Sequence, residues 1–316
     1  MALVKDPDNI RLGIIGMTEG NGHPYSWSAI FNGYNPEEAA KTPYPGIANY
    51  LSLQPKSAFG IPGARMAAVY CNNRADAEMV SKMSLVPMVV DKPEEMIGHI
   101  DAVLVATDIG SEHVERVRPF VEAGIPIFVD KPLCDNLEDL RYFRKLIASG
   151  YPLMSSSCMR YAKELVPYHN RNFTEIGDLR VMVLYMIKKW ETYGIHALEA
   201  MYPLCGPGFV SVRNVGTKER NIVTLHHRDG FDVVIILMKG MVYAPGIEIM
   251  GTNASLRLTT HDTFGTFKAQ LAAFVNYLKT GCPPFPFSET DELMQLVIAG
   301  IISRERGGEV VELPLV

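Results

Sequence analysis

Between residues 11 and 156, six short apolar runs alternate with longer stretches of helical character, and this alternation limits the possible folds more than any other feature. The runs cover residues 11–16, 64–71, 87–90, 100–107, 125–131 and 151–156. They are rich in Val, Ile, Leu and Ala without strict polar alternation, as suits strands covered on both faces. Neighbouring parallel strands need long crossovers, usually helical. Repeated strand–helix order therefore predicts a doubly wound parallel sheet. The pattern changes after residue 156. Residues 178–186 predict a strand long enough for a second sheet, and 208–258 read as a strand meander. Helices are expected at 163–171, 197–204 and 266–278, and a last one from Ser288, where Asp291 three residues on gives a capping-box pattern. The expected fold class is an α/β N-terminal domain, residues 1–155, followed by an α+β domain with a mostly antiparallel sheet, residues 156–316.

A chain of 316 residues suggests more than one core. With a net charge of -5 and 21% charged residues, it gives no reason to expect nucleic acid or a membrane surface as partner. No apolar run approaches a membrane span, and the first residues lack a signal-peptide core. Five scattered cysteines form neither a disulfide framework nor CxxC metal spacing, so a cytoplasmic location is expected and no metal is assigned.

In open parallel sheets, ligands bind outside the carboxyl ends of the strands. The first run ends in Gly16-Met17-Thr18-Glu19-Gly20-Asn21-Gly22, the expected place for a phosphate-binding turn. The glycines fall at 16, 20 and 22, with Thr18 where a glycine normally sits, so a plain glycine-rich turn stays an equal alternative. After the second run come Asn72 and Arg74 rather than an acid. An acid there would meet the ribose of NAD, and an arginine the 2′-phosphate of NADP. Residues 23–62, dense in aromatics and prolines, read as an ordered flap over the cleft or as a structural wrap. The fifth run delivers Asp130 and Lys131 to its end, where Pro132 stops pairing. Arg160 and Tyr161 leave the sixth strand on the presumed cleft side, and Trp190 and Tyr193 precede His196; these four are candidate substrate contacts.

Taken together, residues 100–107, His113, the tetrad Val129-Asp130-Lys131-Pro132 and Gly194-Ile195-His196 resemble the Gfo/Idh/MocA oxidoreductases. The resemblance implies a Rossmann domain binding NAD or NADP, through Gly16, Thr18, Gly20, Gly22, Asn72, Arg74, Thr107, Asp108, His113, Asp130, Lys131 and Pro132. It also implies a second domain holding a sugar- or polyol-like substrate, and a homo-oligomer, dimer or tetramer. It carries a catalytic lysine onto Lys131 and a catalytic histidine onto His196. The family's acid in D-x-G-x-H is Thr192 here, with Glu191 one residue earlier.

Oxidising an alcohol needs a hydride acceptor and a group to take the hydroxyl proton. Histidine, with an ordinary pKa of about 6.5, is suited to that role. Lys131 would either share proton transfer or polarise the oxygen. Glu191 could orient the imidazole, which Thr192 cannot do by charge. Three functions are compatible with these residues: a dehydrogenase of sugars or polyols, a lyase or glycosidase working through transient oxidation, and a non-catalytic dinucleotide sensor.

Overall fold

The structure is a computed structural model and describes residues 1–243 and 246–315. It contains two compact units. The first takes Met1–Asp130, Tyr142–Ser155 and Phe267–Phe285; the second takes Lys131–Arg141, Ser156–Thr266 and Pro286–Val316. The end of the second expected domain, Val316, lies outside the described residues.

The first unit is built on six strands: β1 (Ile10–Ile15), β2 (Ala64–Tyr70), β3 (Met88–Val89), β4 (Ala102–Val105), β5 (Ile127–Val129) and β6 (Leu153–Ser155). They are all parallel, in the order β3-β2-β1-β4-β5-β6. The expected doubly wound sheet is present. Ile10, Leu12 and Ile14 of β1 and every residue of β4 and β5 are buried, which explains their unbroken apolar character. Chain direction reverses about β1, so the crevice outside β1 and β4 is the expected ligand position.

Residues 23–62 are a wrap with a crossover helix, not a flap. They form α1 (His23–Asn32), α2 (Pro36–Ala39) and α3 (Pro45–Ser52). Tyr25 and Trp27 are fully buried, and Trp27 packs edge-on against Phe128 of β5 at 5.5 Å. Aromatics at this depth supply core area and cannot line a mobile cover. The next helices are α4 (Arg74–Ser84), capped by the Asn73 side chain, and α5 (His113–Glu122), followed by Gly124 at φ +68. Between β3 and β4, Pro93–Met96 form a 3₁₀ turn. Then come α6 (Leu137–Ala148), α7 (Ile195–Cys205), α8 (Thr263–Thr280) and α9 (Phe287–Glu305).

The second unit carries β7 (Leu179–Ile187), β8 (Phe209–Asn214), β9 (Arg220–His227), β10 (Asp232–Met238), β11 (Gly246–Gly251), β12 (Ser255–Thr259) and β13 (Val311–Glu312). Their order is β12-β11-β7-β10-β9-β8-β13, antiparallel except where β10 runs parallel to β7. Met182, Leu184 and Met186 of β7 alternate inward with Val233, Ile235 and Leu237 of β10, on the face where α7 packs on β7. Two expectations fail here. Residues 163–171 form no helix but 3₁₀ turns, broken where His169 is extended and Asn170 left-handed, so the intrahelical ladder cannot run on. The capping box at Ser288 does not form either. Helix α9 starts one residue earlier, at Phe287, with Pro286 at its N-cap and no side-chain cap.

Candidate functional site

At the carboxyl ends of β1, β4 and β5 the first unit gathers a set of polar side chains around two carboxylates. Thr18 donates from Oγ1 to Asp108 Oδ1 at 2.6 Å. Asp130, 1% exposed, accepts from Asn21 Nδ2 at 3.2 Å, and its Oδ2 lies 2.6 Å from His23 Nδ1. His23 in turn stacks on Trp27 with ring centroids 4.7 Å apart. A buried carboxylate needs such partners, because desolvation without them is costly. His23 and Asn21 escaped sequence reasoning, since nothing local links them to a residue more than a hundred positions away.

The three glycines differ in what they do. A Cβ on Gly16 would sit 2.9 Å from the Ala106 carbonyl oxygen, so the end of β1 must stay bare against the neighbouring strand. Gly20 has φ +78, a conformation that favours glycine. At Gly22 a Cβ would meet Ile47 and Tyr44 within 2.8 Å, which makes this glycine a packing requirement of α3. The first turn of α1 offers few amides to a phosphate: Pro24 has none, and the His23 N–H is taken by Asn21 Oδ1 at 3.0 Å. A dinucleotide fits this unit, then, through the bare strand end, the open Gly20 turn and side chains, more than through helix amides.

Of the other candidates for cofactor binding, Thr107 and His113 are both fully buried and bonded to each other, His113 Nε2 lying 3.0 Å from Thr107 O and 3.1 Å from its hydroxyl. They fasten the start of α5 to the end of β4. Asn72 and Arg74 are exposed beyond β2. Asn72 accepts from Arg116 at 3.2 Å, and Arg74 pairs with Glu78 and Asp91.

In the second unit, a single turn of π-helix (Trp190–Gly194) leads into α7 and carries the candidate chemistry. Such turns recur at functional sites. The Lys131 ammonium, which enters this unit with Pro132 across a cis peptide bond, lies 5.4 Å from the centroid of the Tyr193 ring. The His196 imidazole meets the same ring edge-on at 5.0 Å. Lys188, at φ +67, donates to the Tyr193 hydroxyl at 2.7 Å. Lys131 and His196, set 65 residues apart, thus flank one phenol.

The orienting partner of His196 differs from the sequence expectation. Its Nδ1 lies 2.6 Å from Ser157 Oγ, whereas Glu191 is drawn into an ion pair with Arg304. Thr192 is half-buried in the same turn. Ser157 is itself fixed: its N–H donates to Glu199 Oε1 at 3.1 Å, and its Oγ accepts from the Met159 N–H at 3.2 Å.

Two candidate substrate contacts are corrected. Trp190 is fully buried, donates to Val297 O at 2.8 Å, and lies so close to Gly194 and Gly300 that a Cβ on either would come within 2.5 Å of the indole. It anchors the turn. Arg160, 6% exposed, is held by Glu199 and Glu289. Burial opposes its charge, but the two carboxylates keep its pKa above the ordinary value, and burial pushes Glu199 upward. Tyr161, next to it, is half-buried, and burial raises its phenol in the same direction.

The first unit has the parallel six-stranded order of dinucleotide-binding sheets, and the second has a mostly antiparallel sheet of seven strands. Residues 46–149 match the model of the Gfo/Idh/MocA oxidoreductase family, described by its NAD-binding Rossmann fold. No curated protein matches the chain. Among solved structures, the myo-inositol dehydrogenase of Lactobacillus casei, in complex with NAD(H) and myo-inositol, is similar at 15% identity and a TM-score of 0.74, covering 98% of each chain. A myo-inositol dehydrogenase of Corynebacterium glutamicum is 18% identical, with a TM-score of 0.72 over 98% of this chain and 100% of that one. The scyllo-inositol dehydrogenase of Lactobacillus casei, with bound NAD(H) and scyllo-inositol, is 17% identical, with a TM-score of 0.70 over 96% and 99%. At these identities the likeness establishes the fold.

Proposed function

We propose that the protein is an NAD-dependent oxidoreductase acting on a carbon that bears a hydroxyl group, in a sugar, polyol or related compound. The observation that carries this reading is the approach of both Lys131 and His196 to Tyr193, 5.4 Å and 5.0 Å from its ring centre. The inositols bound by the structural relatives make such polyols the first compounds to try.

When bound, the dinucleotide supplies the hydride acceptor or donor. Gly16, Thr18, Gly20 and His23 would hold its phosphates, with Asn72 and Arg74 at the adenosine end. His196 takes the hydroxyl proton in oxidation and returns it in reduction. With Nδ1 engaged by Ser157, that exchange falls to Nε2. A serine hydroxyl both donates and accepts, so it supports either neutral tautomer as the direction changes. Lys131 stabilises negative charge on the substrate oxygen.

The outer face of the second sheet supports a homo-oligomer. Val183, Tyr185, Val234 and Ile236 stand on it half-buried or exposed, an apolar surface suited to a second copy. Among the described residues no helix is long and apolar enough to cross a membrane. The buried thiols of Cys71, Cys134 and Cys205 suit a reducing cytoplasm, and burial pushes the Cys71 thiol up to about 12.

The test is calorimetric titration with NAD and NADP, followed by nicotinamide reduction assays across inositols, aldoses and their acids. Turnover that disappears in both Lys131→Met and His196→Ala is expected. Tight cofactor binding without turnover on any compound would overturn the reading in favour of a sensor.

A further inference from the structure

The turn before α7 is rich in donors and poor in negative charge. Lys188 is half-buried and held at φ +67, a backbone conformation that a non-glycine residue keeps only where its surroundings impose it. That conformation sets its ammonium 2.7 Å from the Tyr193 hydroxyl and 4.2 Å from the ring centroid. Among the described residues, none places a carboxylate within salt-bridge distance of Lys188. Within the turn, Thr192 is neutral, and the charge of Glu191 is matched by Arg304. Because the Tyr193 oxygen accepts from Lys188, its own proton is left to donate outward. Lys188 and Tyr193 therefore form a bonded pair with donors to spare.

A neutral polyol offers no charge to match an ammonium that has no carboxylate within salt-bridge distance. Carboxylate and phosphate groups offer oxygens that only accept, with charge opposite to the Lys188 ammonium. We infer that the substrate carries an anionic group, a carboxylate or a phosphate, bound by Lys188 and Tyr193 beside the carbon that reacts. This rests on the oxidoreductase reading for the reacting carbon, but the anion site itself does not. Lys188 then has a double use: it fixes the phenol and supplies charge for recognition.

The test measures affinity rather than turnover. Glucose, glucuronate and glucose 6-phosphate are titrated calorimetrically into the full chain saturated with NAD, for the wild type, Lys188→Met and Lys188→Arg. One anion is expected to bind at least about tenfold tighter than glucose, with the advantage weakened by added salt, lost in Lys188→Met and largely kept in Lys188→Arg. Preference for glucuronate assigns a carboxylate, and preference for the phosphate ester assigns a phosphate. Glucose binding as tightly as both anions, no binding by either anion, or a preference untouched by Lys188→Met would overturn the inference. If the anion preference holds while no compound reduces the nicotinamide, the oxidoreductase reading falls and the anion site stands.

Discussion

The polar groups of the turn after β1 gather around carboxylates, whereas those of the turn before α7 gather around ammoniums. In the first, Asp108 and Asp130 each accept from neutral or imidazole donors, and glycine leaves the strand end bare. In the second, Lys131, Lys188 and His196 approach one phenol, and the acid of the turn, Glu191, is matched by Arg304. The contrast shows how one chain divides its work. The first turn is shaped by backbone and by acceptors already satisfied within its own unit. The second brings cationic side chains and an imidazole to one phenol.

The comparison can be broken from either side. The largest effect is expected at the second turn. His196→Ala should lower kcat/KM by about 10²- to 10⁴-fold, roughly 3–5 kcal/mol in the barrier, while calorimetric NAD affinity stays near wild type. Equal losses in both quantities would mean that the two turns do not divide binding and chemistry as described. Next, Trp190→Ala should destabilise the fold by about 3–5 kcal/mol in denaturant unfolding, because an indole wedged between two glycines leaves a cavity its neighbours cannot close. An unchanged midpoint would remove its anchoring role. Gly16→Val should cost about 1–3 kcal/mol through collision with the Ala106 carbonyl, and should weaken NAD while sparing the anion preference.

The smallest expected effect is one of pH. The fully buried His227 side chain has its pKa lowered from 6.5, chiefly by burial, with Nε2 facing the Pro207 carbonyl at 3.0 Å and Nδ1 accepting from the Asp229 N–H at 3.1 Å. The folded state therefore prefers the neutral ring. Its contribution is complete above the unfolded value near 6.5 and is lost as pH falls through the lowered folded value. Unfolding midpoints should drop on acidification in this window, and less so in His227→Gln.

The parallel sheet was legible because strands buried on both faces leave continuous apolar runs, as at 100–107 and 125–131. Lys131 and His196 could be singled out because each stands at a strand end or helix start with a recognisable motif. Their shared neighbour, Tyr193, was singled out as a substrate contact, but not as the ring that both flank. Ser157 was missed, since its link to His196 spans 39 residues and a serine after a strand has no local signature. Trp190 was misassigned for the converse reason. Its position beside the motif suggested exposure, while the glycine that receives it, Gly300, lies in the last helix. The missing helix at 163–171 shows local propensity losing to a backbone reversal at Asn170.

One indole edge, seated between Gly194 and Gly300, sets the height at which α7 begins. Enlarging either glycine would push that seat outward and carry Tyr193 and His196 with it. Positions 190, 194 and 300 are thus a lock of three tumblers: a change in bulk at one calls for a compensating change at another.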